Sequence, residues 1–379
     1  MRFLGRVFLP CCFLLALCGC KSKAEPSPLL IGHVAPFSGP DKSMGEHARQ
    51  AIRLAITEAN SEENGAAGLR VAVVHVDAHG SLEALQPEVV RLIKVNGVVG
   101  LFGGKSAAEV ERLGHAAQPY DVPLITPAAV PTELMTDNVY SVSASLAFQG
   151  QILARFLTEN LKATPVAILV DSRRPASIAL AEAFEKEPAL MKSAAPRQWS
   201  YQSDADLAKA IEQLKAMKPQ AVLYAGAAAD LARTRTLLQA MGITAPLLLG
   251  AESEQLAALQ SNPNPGHVVY LATPYGSGNE APKLLKFDQD YQKRFHEPPD
   301  TDARLAYEGI QILIQAIRRA KPPSSASAVA KQLGDSEGFD SLTGHVLFGK
   351  YHALRRPLFV IRMENGQRQE AKRFDPDGP

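Results

Sequence analysis

Cysteine is missing from almost the whole chain: Cys11, Cys12, Cys18 and Cys20 are the full complement of the 379 residues. Everything after residue 20 therefore lacks a disulfide, a thiol nucleophile and a thiolate metal ligand. Aromatics are scarce at 6%, with a single Trp, which leaves few platforms for stacking bases. An excess of one charge is also absent, because 40 Lys+Arg stand against 39 Asp+Glu with no basic block. Together these shortages place nucleic acid last among partners. Beyond the first 20 residues no apolar run approaches the roughly 20 residues of a spanning helix. What remains is ordinary globular composition, 46% hydrophobic and 21% charged, in a chain too long for one simple core.

The N-terminus carries Arg2 and Arg6, an apolar run from Val7 to Leu17, and then Leu17-Cys18-Gly19-Cys20-Lys21-Ser22. This is the layout of a bacterial export signal. Leu17-x-Gly19-Cys20 resembles a lipobox, in which Cys20 is acylated, becomes the first residue and anchors the chain in the lipid bilayer of the cell envelope. Cys18 fits less well, since Leu17 would stand where a small side chain is needed. A short transmembrane anchor is the alternative, for which the run is too brief. Processing would remove Arg2 and Arg6 and take the formal charge from +1 to −1, predicting no electrostatically driven partner. Residues 1–19 are read as signal peptide, and 20–28 as lipidated Cys with a Pro/Ser/Lys tether.

From Leu29 onward, short apolar runs alternate with helical stripes. Leu29–Val34 reads as a buried strand, and in Met44–Asn60 the residues Ala48, Ala51, Ile52, Ala55, Ile56 and Ala59 share one helical face. Strands follow at Leu69–Val76, Val98–Phe102 and Val122–Ile125, separated by helices around Glu83–Lys94 and Ala107–Ala117. After Tyr140–Ser143 a second series begins, with strands at Val166–Val170, Trp199–Gln202, Ala221–Tyr224, Pro246–Leu249 and Val268–Leu271. Two alternating α/β series predict two lobes with parallel sheets flanked by helices. The remainder is helix-rich until two late strands, Gly344–Phe348 and Leu358–Met363, each expected to pair with a sheet laid down earlier.

Several stretches then carry a resemblance over nearly all the chain after the tether. They are Ile31-Gly32-x-x-Ala35-Pro36-Phe37-Ser38-Gly39-Pro40 with Gly45, Asp77, Val98–Gly104, Pro123–Ala129, Leu249–Glu252 and Ala306–Gly309. In that order and spacing they resemble the leucine/isoleucine/valine-binding type of periplasmic solute-binding protein, the receptor component of ABC importers. The resemblance implies two Rossmann-like lobes joined by a three-segment hinge and closing over a ligand, the type I periplasmic binding fold. It places crossings near Ser141–Ser145, Ala272–Tyr275 and Phe348–Tyr351. Residues 29–143 plus 275–348 would form lobe I, 144–274 plus 349–373 lobe II, and 374–379 a tail. Its partners would be an ABC permease or a sensor.

In open α/β sheets ligands sit beyond the carboxyl ends of the strands, where helix N-termini present unpaired N–H groups. Loops meeting that description are Ala35–Gly45, Gly103–Ala107 and Thr126–Pro131, faced by Asp171–Ser177, Ala225–Ala229 and Gly250–Glu254. Together with the resemblance they nominate Ser38, Gly104, Lys105, Ser106, Ala128, Ala129, Ala227 and Glu252 as ligand-binding residues. The resemblance makes Glu252 the ammonium-binding carboxylate. This sequence departs from the family at Gly104 and Val130, where hydroxyls are usual, and near Pro175 and Ala227, where aromatics are usual. Lys105 could compensate by binding a more anionic ligand such as a dicarboxylate, or could pair with Glu252. An amino acid or related small polar ligand is the expectation.

Other chemistry finds no motif. Gly104-Lys105-Ser106 mimics the end of a phosphate loop, but Val99 stands where its first glycine belongs. His75 and His79 are spaced by four, yet His75 lies in a strand, so the two do not share a helical face as a zinc pair would. His33, on the first strand, reads as a half-buried core or cleft-wall residue. There is no G-x-S-x-G elbow. The sequence calls for no catalytic residue, no metal and no cofactor.

Overall fold

A computed structural model describes residues 27–61, 70–78, 81–193, 196–250, 266–276, 282–321, 324–335 and 337–376. Five parallel strands form the first large sheet: β1 (Leu29–Ala35), β2 (Val71–Asp77), β3 (Gly100–Gly103), β4 (Leu124–Thr126) and β5 (Val139–Ser141), in the order β2-β1-β3-β4-β5. The strands are apolar on both sides because both faces are covered. Leu101 and Leu124 enter one buried cluster, while their neighbours Phe102 and Ile125 enter another on the opposite face. Helices α1 (Lys42–Ala59), α2 (Leu82–Lys94) and α3 (Ala107–Ala117) supply that cover.

The second sheet contains β6 (Val166–Asp171), β7 (Arg197–Tyr201), β8 (Ala221–Ala225), β9 (Leu247–Leu249) and β10 (Val269–Thr273). Around them lie α4 (Leu146–Phe156), which runs into a π-helical turn at Leu157–Leu161, α5 (Pro175–Glu185), α6 (Pro188–Ser193), α7 (Asp204–Met217) and α8 (Ala228–Ala240). Val166, Ile168 and Val170 face one cluster, and Ala167 and Leu169 the other, the period of two expected of a strand.

After β10 the chain returns to the first sheet with α9 (Pro282–Phe295), α10 (Thr301–Arg319) and α11 (Ala326–Leu333). α10 is buried along Leu305, Ala306, Ile310, Leu313 and Ile317 and packs against the alanine-rich face of α1, in one cluster with Phe102 and Ile125. The short strands β11 (Phe339–Ser341), β12 (Gly344–Phe348) and β13 (Leu354–Arg355) then form a small antiparallel sheet. This corrects one expectation: Gly344–Phe348 pairs with its own sequence neighbours through a two-residue turn, not with an earlier sheet.

The last two strands, β14 (Leu358–Glu364) and β15 (Gln367–Phe374), complete the second sheet as antiparallel additions, giving β15-β14-β10-β9-β8-β6-β7. Phe374, read from the sequence as the head of a tail, still pairs with Leu358.

The chain thus passes between the large sheets three times, after β5, after β10 and before β14. The first and third passages run side by side, with the Ser141 N–H donating to the His352 carbonyl at 2.8 Å. All three meet at one buried ion pair. Arg356 Nη1 lies 2.5 Å from Glu308 Oε2, both side chains being fully buried. Tyr275 donates its hydroxyl to the same carboxylate oxygen at 3.0 Å. Arg356 also donates to the Val142 carbonyl at 3.4 Å and to Thr343 Oγ1 at 2.8 Å.

Candidate functional site

At the carboxyl ends of β1, β3 and β4 the backbone is tightly specified. Gly103 and Gly104 take φ of +151° and +84°, and a Cβ on Gly104 would lie 2.7 Å from Val110 Cγ2. A hydroxyl-bearing side chain at 104 would be strained by that conformation, which is a physical reason for glycine there. The hydroxyl of this region comes instead from buried Thr126, which donates to the Gly104 carbonyl at 3.0 Å and accepts from Ala128 N–H at 3.1 Å. Ser38 is exposed beyond β1, and its neighbour Phe37 donates its N–H to Asp77 Oδ1 at 2.9 Å.

Lys105 and Ser106 lie together at the start of α3, and both already have partners. Lys105 Nζ pairs with Asp41, and its backbone N–H donates to Glu109 Oε2 at 3.0 Å. Ser106 caps the helix, its Oγ accepting from Glu109 N–H at 3.3 Å. Ser106-x-x-Glu109 is thus close to a capping box, with the Glu reaching one residue past the usual donor. Burial pushes the Glu109 carboxyl above the usual range, against the lowering effect of the Lys105 N–H and charge. Two resident carboxylates therefore occupy donors that the sequence offered to an anionic ligand.

Ala128 is half-buried, and its carbonyl accepts from Ser141 Oγ at 2.8 Å. Ala129 is buried in the same apolar cluster as Ala144 and Leu146, at the first passage between the sheets.

On the second sheet, Asp171 ends β6 with its side chain almost fully buried. Arg173 grips it with Nε and Nη2, both at 2.8 Å, and reaches Asp230 Oδ2 at 3.4 Å. That fork holds the guanidinium in one plane while leaving about half of the side chain exposed. Ala227 precedes α8 and is half-buried, its carbonyl accepting from Tyr224 OH at 2.7 Å. Tyr201 OH lies 3.4 Å from Tyr224 OH, and burial pushes the Tyr201 hydroxyl up to about 12. Glu252 and Cys20 lie outside the described residues.

A small cavity of about 30 Å³ sits in the first sheet's half, lined by His33, Met44, Phe102, Gly104, Lys105 and Ala306 among others. His33 is fully buried, not half-buried as its place in the sequence suggested, because it faces Phe37 and Phe102 rings across β1. Its Nδ1 lies 2.9 Å from His75 Nδ1, its register partner on β2. Burial, reinforced by the neighbouring imidazole, holds His33 well below the usual range, and burial with the Arg49 charge pushes His75 down to about 4. His79 lies outside the described residues. Among the described residues no three His, Cys, Asp or Glu side chains are grouped to hold a metal ion.

Residues the sequence reading did not single out are Asp41, Glu109, Arg173, Asp230, Tyr201 and Thr126. Glu109 had a local signal, the Ser-x-x-Glu spacing, and Arg173 and Thr126 each meet a partner two residues away; Asp41, Asp230 and Tyr201 are joined to theirs by tertiary packing.

Comparison with known proteins matches residues 28–368 to the family model described as periplasmic binding protein. A curated relative, Leu/Ile/Val-binding protein homolog 7 of Brucella abortus (strain 2308), is 24% identical over 332 residues, covering 81% of this chain and 82% of the relative. Among solved structures, the branched-chain amino acid transporter substrate-binding protein LivJ from Streptococcus pneumoniae, in complex with isoleucine, superposes with a TM-score of 0.78 at 20% identity. That match covers 91% of this chain and 100% of the other. A solute-binding protein of an ABC transporter from Rhodopseudomonas palustris BisB5, in complex with 3,4-dihydroxybenzoic acid, gives a TM-score of 0.74 at 18% identity over 92% of this chain and 98% of the other.

Proposed function

This chain belongs to the periplasmic binding protein family, and from that premise we propose that it is a lipid-anchored extracytoplasmic receptor that captures an amino acid or related small polar ligand for an ABC importer. The observation that carries this reading is the convergence of three chain passages on one buried ion pair between two sheets whose strand ends bear polar loops. Such a joint lets the units rotate, and ligand contacts from both sides favour the closed state only as far as they bind it better than the open one. Lobe I would comprise 29–143 plus 275–348, and lobe II 144–274 plus 349–373. The ligand would meet Ser38, Gly104, Lys105, Ser106, Ala128, Ala129, Ala227 and Glu252, and Cys20 would carry the acyl chains. The family is one of solute receptors, and the sequence carries no catalytic constellation.

Thermal unfolding of the chain from Lys21 against amino acids, dicarboxylates, amides and short peptides tests the reading. A ligand at 100 times its dissociation constant adds about 2.7 kcal/mol, a rise of a few degrees in a protein of this size. The rise should vanish on Glu252→Ala. Mass spectrometry of the protein and its Cys20→Ser variant checks the anchor, which only the former should carry. A second reading, a sensing or scaffolding envelope lipoprotein of the same fold, is favoured by one observation: Asp41 and Glu109 already satisfy Lys105. A well-folded sample that no compound stabilises would turn the assignment to it.

A further inference from the structure

The cavity below the Gly103-Gly104 loop contains a polar atom that nothing satisfies. His33 Nε2 is buried and has no hydrogen-bond partner, while its ring lines a space of about 30 Å³. That volume holds one water-sized group. Around it Met44, Ala48, Phe102 and Ala306 are apolar. Of the charged groups in the lining, Lys105 is held by Asp41, and Asp302 sits in the first turn of α10, where the helix N-terminus favours a negative charge.

The imidazole pair sets the chemistry of the orphan atom. With Nδ1 facing Nδ1 at 2.9 Å, His33 and His75 share a single hydrogen, since two would point N–H at N–H. If His33 donates to His75, its Nε2 is an acceptor; if His75 donates, His33 Nε2 carries the hydrogen and is a donor. Exchanging the two roles with both rings neutral takes two proton shifts, one between the Nδ1 atoms and one that adds a hydrogen at His33 Nε2 and removes one from His75 Nε2, so the two arrangements are distinct tautomers of the pair. Burial keeps the His33 ring uncharged at neutral pH, and partial burial of the ring with the Arg49 charge does the same for His75, which is open to solvent on its other side.

Resting on the receptor reading above, we propose that His33 is a specificity-determining residue whose Nε2 receives a neutral hydrogen-bonding end group of the ligand, a hydroxyl or a carboxamide. Such groups both donate and accept, so either tautomer of the pair serves them. A methyl group of the same size fills the cavity and leaves the nitrogen unpaired, which a buried polar atom tolerates poorly.

Isosteric pairs decide it. Titration calorimetry of the protein from Lys21 with valine against threonine, and with leucine against asparagine, should show the polar member of each pair binding at least about tenfold more tightly. His33→Phe should abolish or reverse that preference. Because this variant replaces a buried group, the ¹⁵N resonance of His33 Nε2 is followed in the unaltered protein: threonine should shift it and valine should not. Equal or tighter binding of the apolar members, or an unmoved resonance with threonine bound, overturns the inference and leaves the receptor reading intact. Binding by none of the four removes the amino-acid reading and this contact with it.

Discussion

Two ion pairs in this protein have the same chemistry and opposite settings. Glu308–Arg356 is fully buried where the three passages between the sheets meet, and Tyr275, Val142 and Thr343 add hydrogen bonds to it. Asp41–Lys105 stands at the mouth of the candidate site, with 43% of the Asp41 side chain exposed. In the first, neither charge has water to fall back on, so each depends on the other. In the second, water competes for both partners, so the pair opens at small cost when something better arrives. The first suits a joint and the second suits a site that exchanges contacts.

The largest expected effect breaks the buried member. Arg356→Met should lower unfolding stability by about 3–5 kcal/mol, because it strands the Glu308 carboxylate. Arg356→Met with Glu308→Leu should recover most of that loss, as measured by urea denaturation. If the single variant is as stable as the parent, the joint does not depend on this pair.

Next comes Gly104→Ser, which restores the hydroxyl usual in the family. The left-handed backbone and the approach to Val110 should make it destabilising by about 1–3 kcal/mol. No improvement in ligand binding is expected, because Thr126 already serves this loop.

A pH profile sharpens the comparison by reading the histidine pair beside the candidate site. The folded-state value of His75 is about 4, below its unfolded value near 6.5, so the unfolded chain binds more protons between them. Stability should therefore fall as pH drops from about 6.5 toward 4 and be flat above. Glu109, raised by burial, works in the opposite direction, so the quantity to read is the difference between the protein and its His75→Gln variant. A difference that does not change over that range would show that His75 is protonated in the fold.

The smallest effect belongs to the exposed pair. Lys105→Ala should change unfolding stability by less than about 1 kcal/mol. Its influence, if the site works as proposed, appears in ligand affinity alone.

The architecture was legible because buried strands and amphipathic helices write their period into the sequence. The alanine face of α1 is visible in residues 48–59 before any fold is known. β15 was not legible: before the buried Phe374, Gln367–Arg373 is polar except for Ala371 because it is an edge strand, and charged edges resist unwanted pairing at the expense of any apolar alternation. In the site, the glycine loop and the start of α3 could be read locally. Asp41–Lys105 joins residues 64 apart, and His33–His75 depends on the register of β1 against β2. Neither pairing has a trace in the local sequence, so Lys105 read as a contact for an anionic ligand or a partner of Glu252, and His33 as half-buried.

The route of the chain between the sheets also bears on the order in which the protein is made. The strands of the first sheet are complete by Ser141, yet α10, which covers one of its faces, is not synthesised until Thr301–Arg319. The second sheet likewise lacks β14 and β15 until the final stretch of the chain. A nascent chain of 250 residues would therefore carry two sheets with neither finished, and a truncation before Leu358 would leave the second without its closing strands. Contacts that span so much sequence form late and slowly. The second half cannot mature until the chain is almost complete, and until its last strands arrive the emerging polypeptide has apolar surface for a chaperone to hold.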